Sequence, residues 1–97
     1  MQNITIIAKR WFDKINGNTY FSSVGLIDGE VKVKINFSYG YGNHYEYATF
    51  AELEKKGFIN DVEHYKNGGT VSPFRYCQEK GLKYYSTHSD VKRKKDL

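Results

Sequence analysis

Glu30-Val31-Lys32-Val33-Lys34-Ile35-Asn36-Phe37 alternates polar with apolar residues along its whole length. A period of two marks a strand with one face in the core and one in water. The pattern assigns Val31, Val33, Ile35 and Phe37 to the core face and Glu30, Lys32, Lys34 and Asn36 to the wet face. Asp28-Gly29 precedes it directly. That pair suits a two-residue hairpin turn, whose central residues both need positive φ. Before the turn, Thr19 to Ile27 is rich in β-branched and aromatic residues and reads as a partner strand. Asn16-Gly17-Asn18 is a second turn signal, and residues 2 to 12 in front of it read as another strand. The first forty residues are therefore a three-stranded antiparallel meander.

Beyond Phe37 the period changes. Ser38-Tyr39-Gly40-Tyr41-Gly42-Asn43 is a glycine-broken loop. A helix follows and runs to Lys56, with Gly57 as its C′ residue. Two starts are open: Asn43 as N-cap, or a Thr49-x-x-Glu52 capping box with Phe50 and Leu53 as inward anchors. Residues 60 to 71 read as loop. Ser72-Pro73 is an N-cap followed by proline at the first helical position, so a short helix spans Phe74 to Lys80 and stops at Gly81. Leu82 to Val91 reads as a fourth strand. The fold class is α+β: a twisted antiparallel sheet of about four strands, in the sequence order β-β-β-α-α-β, with two short helices on one face. Residues 1–91 form one domain and residues 92–97 a basic tail.

Composition narrows the function. At 97 residues, 39% hydrophobic and 16% aromatic, the chain is long enough for one core and too aromatic for a disordered segment. No apolar run approaches the ~20 residues of a membrane helix. Residues 1 to 12 lack the pattern of a secretory signal, which points to a cytoplasmic protein. The net charge of +4 is uneven. Lys92, Arg93, Lys94 and Lys95 face Asp96 alone in the tail, leaving 11 basic and 10 acidic residues in the body. A wholly basic domain would suggest a nucleic-acid groove; a near-neutral body with a basic end is less selective.

Chemistry-bearing residues do not assemble into a catalytic pattern. His44, His64 and His88 are far apart in sequence, and the single Cys77 cannot build a multi-cysteine zinc site. Asp61 and Glu63 near His64 lie in the expected loop. Cys77 sits inside the second helix, where a lone cysteine is ordinarily a small buried hydrophobe. No metal, cofactor or catalytic residue is assigned, and the expectation is a protein that is not an enzyme.

Binding is the alternative. Nine tyrosines, six phenylalanines and one tryptophan exceed what so small a body can bury. Tyrosine is enriched at interface hot spots because it gives a large contact area with a polar tip. Tyr39 and Tyr41, with Arg93, Lys94 and Lys95 of the tail, are the expected contacts to a protein partner. A second reading is a nucleic-acid interface of Lys9, Trp11, Lys32 and Lys34, in which rings stack on bases and cations meet phosphates. Gly40, Gly42 and Asn43 form a candidate anion-binding loop, since free N–H groups at a helix start attract anions. A homodimer would also cover sheet edges and aromatics.

Three stretches taken together resemble a group of small uncharacterised proteins encoded in bacteriophage genomes. They are Ala8 to Phe12 with Gly17 to Tyr20, then Phe37-Ser38-Tyr39-Gly40-Tyr41-Gly42, then the closing Arg93-Lys94-Lys95-Asp96-Leu97. The resemblance implies an accessory protein that binds a host macromolecule, for instance as an inhibitor of a host defence or nucleic-acid enzyme. It assigns no site residue.

Overall fold

A computed structural model describes residues 1–60, 66–67 and 70–97. Strands β1 (Asn3–Asp13), β2 (Asn18–Ile27) and β3 (Glu30–Tyr39) form the meander. Helix α1 (His44–Lys55) follows, then the two-residue strands β4 (Lys66–Asn67) and β5 (Thr70–Val71), helix α2 (Pro73–Lys80) and strand β6 (Lys83–Val91). The main sheet has the order β3-β2-β1-β6, so the longest strand, β1, lies inside it. Four strands with two helices in the expected order are thus observed. The ladder β4–β5 lies in the stretch read as loop; the Asp61, Glu63 and His64 part of that reading lies outside the described residues.

Local chemistry explains the turns and caps. Asp28 and Gly29 take φ of 51° and 85°, as the tight β2–β3 hairpin requires. The Asp28 carboxylate also accepts the backbone N–H groups of Gln2 and Asn3, tying the turn to the start of β1. The Ser72 hydroxyl accepts the Arg75 N–H, Pro73 fills the first turn of α2, and Gly81 closes it in the left-handed region. For α1 the longer helix forms. Thr49, the alternative cap, is fully buried in its middle and donates its hydroxyl to the Tyr45 carbonyl at 2.6 Å. Asn43 stands at the N-cap without a side-chain hydrogen bond.

The fourth strand joins the sheet parallel to β1, with Asn3 opposite Lys83 and Trp11 opposite Val91, so the sheet is mixed rather than wholly antiparallel. The long connection through both helices carries the chain back to the end where β1 begins, and the Lys83 N–H reaches the Gln2 carbonyl there. Such a crossover is what a parallel pair needs.

Both helices cover one face of the sheet. Ile4, Ile27 and Val33 from the strands meet Phe50, Leu53, Tyr76 and Cys77 from the helices, while Ile6, Ala8 and Phe21 meet Tyr45. Each large apolar side chain buried here contributes about 1.5–3 kcal/mol. Gly25 lets α1 come close: a Cβ there would lie 2.8 Å from Val33 Cγ2 and 3.0 Å from Thr49 Cγ2.

Candidate binding surface

The other face of the sheet carries no α-helix among the described residues. Residues on this open face follow from the register. Thr5, Ile7, Lys9 and Trp11 of β1 oppose Leu26, Val24, Ser22 and Tyr20 of β2. Tyr85, Thr87, Ser89 and Val91 of β6 flank the same β1 residues.

Strand β3 departs from strict alternation. Its pairing with β2 shifts twice, between Phe21 and Ser23 and between Gly25 and Leu26. Each shift inserts a residue and turns the following side chains to the opposite face. Val33 and Ile35 keep their expected place toward the core. Val31 and Phe37 do not: they are 52% and 45% exposed, and Phe37 stacks on Tyr20 of the open face. The assignment of all four apolar residues to one face is corrected accordingly.

The bulge at Phe37 completes an aromatic row. Trp11 stacks on Tyr20 with centroids 5.8 Å apart, and Tyr20 stacks on Phe37 at 4.8 Å. Tyr39 meets Tyr20 edge-on, and Tyr41 meets Tyr39 in the same way. The row runs across β1, β2 and β3 into the loop before α1. The basic tail reaches it as well. Lys94, in a short 3-10 turn over Lys94–Asp96, places Nζ 4.9 Å from the Phe37 centroid, and Arg93 pairs with Asp96 beside it.

Tyr39, Tyr41, Trp11 and Lys94 are thereby gathered at one end of the sheet, with Lys9 two residues from Trp11 on the same face. Arg93 and Lys95 adjoin Lys94 in the chain. Lys34 lies on the open face opposite Val24, farther along β3. Lys32 is separated from this group. It bonds Glu30 at 3.0 Å and lies over the Phe58 ring, which follows α1. Phe37 and Tyr20 are the members that the sequence reading missed. Tyr20 was legible from strand alternation; Phe37 was hidden by the bulge.

The loop of Gly40, Gly42 and Asn43 is tied into the fold. The Gly40 N–H donates to the Thr19 carbonyl, and the Gly42 carbonyl accepts from Arg10. A Cβ at Gly40 would collide with the His44 ring.

On the covered face, polar side chains line β6 beside the first turns of α1. Tyr84 donates to Glu46 at 2.6 Å, and burial, reinforced by that carboxylate, raises its pKa strongly. The Tyr45 hydroxyl lies 3.2 Å from His88 Nδ1, and burial raises its pKa too. Burial also pushes the Cys77 thiol up to about 11, which suits a core residue and not a nucleophile. Among the described residues no group of three His, Cys, Asp or Glu could hold a metal ion. No helix among them is long and apolar enough to cross a membrane.

No protein-family model matches the chain, and neither a curated protein nor a solved structure matches it.

Proposed function

We propose that this chain is a non-enzymatic binding module that docks a protein partner on the open face of its sheet. The observation that carries this reading is the aromatic row Trp11–Tyr20–Phe37, continued by Tyr39 and Tyr41, with the exposed aliphatics Ile7 and Val31 farther along the same face. Large rings beside aliphatic side chains are the composition of interface centres. Charge on this face leans positive. Lys9, Lys34, Lys83 and Lys94 stand around it, while Asp13 at the hairpin end is engaged with Asn16 and Asp96 of the tail with Arg93. The partner chemistry that fits is an apolar patch rimmed by carboxylates. The phage resemblance makes a protein of the bacterial host the partner class, with an inhibitory role on a defence or nucleic-acid enzyme as its consequence.

The same geometry weighs against nucleic acid on this face. Bases are held by stacking on free ring faces. Here Tyr20 is flanked by Trp11 and Phe37, and Phe37 also carries Lys94, so the inner rings offer edges.

The test is affinity capture from bacterial lysate, with and without nuclease treatment, by three forms of the chain: wild type, Phe37→Asp, and Lys56→Glu as a control on the helical side. One protein held by wild type and Lys56→Glu but lost with Phe37→Asp is expected. Capture that Phe37→Asp leaves intact, or that disappears with nuclease, overturns the reading.

A further inference from the structure

We propose a second, independent site: a cleft for a nucleoside 5′-phosphate at the shared carboxyl ends of β1 and β6. The cleft has a volume of about 610 Å³ and is lined by Arg10, Phe12, Lys14, Gly42, Asp90 and Lys92, among others. That size falls in the range of small-molecule sites. It lies toward the helical side, since Arg10 pairs with Phe21 and Phe12 with Thr19 in the register, opposite in sense to Trp11. In open sheets whose parallel strands are joined through helices, ligands sit beyond the carboxyl ends of those strands. Because β6 is parallel to β1, Lys14 and Lys92 leave their strands at the same end and converge there.

Charge in the cleft favours an anion. Asp90 is already matched by Arg10, whose Nε donates to Oδ1 at 3.0 Å and whose Nη1 donates to the Gly42 carbonyl. This clamp holds the guanidinium against the loop that leads into α1. Lys14 and Lys92 have no carboxylate partner among the described residues, so two cations are left over to meet a phosphate. The twelve-residue α1 begins two residues beyond Gly42, so the positive end of its dipole lies near the cleft, although the His44 and Glu46 N–H groups already donate to the Tyr41 and Asn43 carbonyls.

An apolar wall accompanies the charge. Phe12 is 53% exposed and, unlike Trp11, Tyr20 and Phe37, stacks on no other ring among the described residues. A free ring face beside two unpaired cations matches a ligand that joins a flat base to a phosphate. In the aromatic row on the other face the inner rings, Tyr20 and Phe37, are already stacked. A free mononucleotide and the 5′-phosphorylated end of a strand share this chemistry.

The test follows backbone and arginine side-chain N–H signals of the full chain by NMR during titration. The probes are adenosine 5′-monophosphate, adenosine, inorganic phosphate and a short 5′-phosphorylated oligonucleotide. Saturable shifts at Phe12, Gly42, Lys92 and the Arg10 Nε–H are expected with the nucleotide, with weaker binding of adenosine and phosphate alone. Lys14→Glu with Lys92→Glu should weaken nucleotide binding about tenfold or more, the effect of removing charge-assisted hydrogen bonds. Both lysines lie outside the strands, and the spectrum itself reports whether the variant is folded. Phe12→Ala should bring nucleotide affinity down to that of phosphate. Tighter binding of the oligonucleotide than of the mononucleotide identifies a strand end as the ligand; equal binding identifies the free nucleotide. Absence of saturable shifts, shifts that the double variant leaves unchanged, or phosphate binding as tightly as nucleotide in the wild type overturns the proposal. Phe37→Asp, on the opposite face, should leave this titration unchanged, so the two sites fail or stand separately.

Discussion

Replacing Thr49 with valine should destabilise the chain more than replacing Ser23 with alanine, although the two hydroxyls share one hydrogen bond. Ser23 on β2 is 4% exposed and Thr49 on α1 fully buried, with their oxygens 2.7 Å apart. Thr49 Oγ1 also lies 2.6 Å from the Tyr45 carbonyl oxygen, which can only accept. The single Thr49 proton therefore goes to Tyr45, and Ser23 must be the donor to Thr49. Ser23→Ala removes that donor and leaves Thr49 still donating, a loss of about 0.5–1.5 kcal/mol. Thr49→Val strands the Ser23 O–H in the core, which costs about 1–3 kcal/mol. Valine matches threonine closely in shape and helix propensity, so little else changes. Combining the two removes the orphan, and the double variant should be no less stable than Thr49→Val alone. In a domain of this size each kcal/mol moves the Tm by about 4–8 °C. Urea and thermal unfolding followed by circular dichroism measure all three. Equal costs for the two single variants, or a double variant whose cost is the sum, would refute the donor assignment.

Two further outcomes follow from titrating and reactive groups. The Asp28 carboxyl is held below its ordinary value of 3.8 by the N–H groups of Gln2 and Asn3, with help from the nearby N-terminal charge. The unfolded carboxyl therefore takes up its proton first as pH falls. Its stabilising contribution is complete above the unfolded value and is lost as pH drops through the lower folded one. Urea midpoints measured between about pH 6 and pH 2 should show this acid-side loss in wild type and a shallower one in Asp28→Asn. Cys77 is buried, with its thiol pushed up to about 11, so a thiol reagent near neutral pH should label the native chain only as fast as it opens. Urea should accelerate labelling in proportion to unfolding; rapid labelling without denaturant would contradict the packing of α2.

Much of the architecture was legible from short stretches, because the interactions that set it are local. Asp28-Gly29 specifies a hairpin through the conformations its two residues tolerate, and Ser72-Pro73 with Gly81 specifies both ends of α2 through capping. The period of two in β1 and β2 placed Lys9 with Trp11 on one face and Arg10 with Phe12 on the other. What the tertiary structure decided depends on pairings between distant residues. The two register shifts between β2 and β3 send Val31 and Phe37 to the open face, although the sequence of β3 alternates without a break. A bulge is a relation between two strands, so neither strand announces it alone. The same holds for β6: its residues read as a strand, but only the return path through both helices makes it parallel to β1. That choice brings Lys14 and Lys92 to one cleft, and the turn after β6 lays Lys94 on Phe37. The sequence alone determined which residue types were available for binding; long-range pairing determined which of them share a surface.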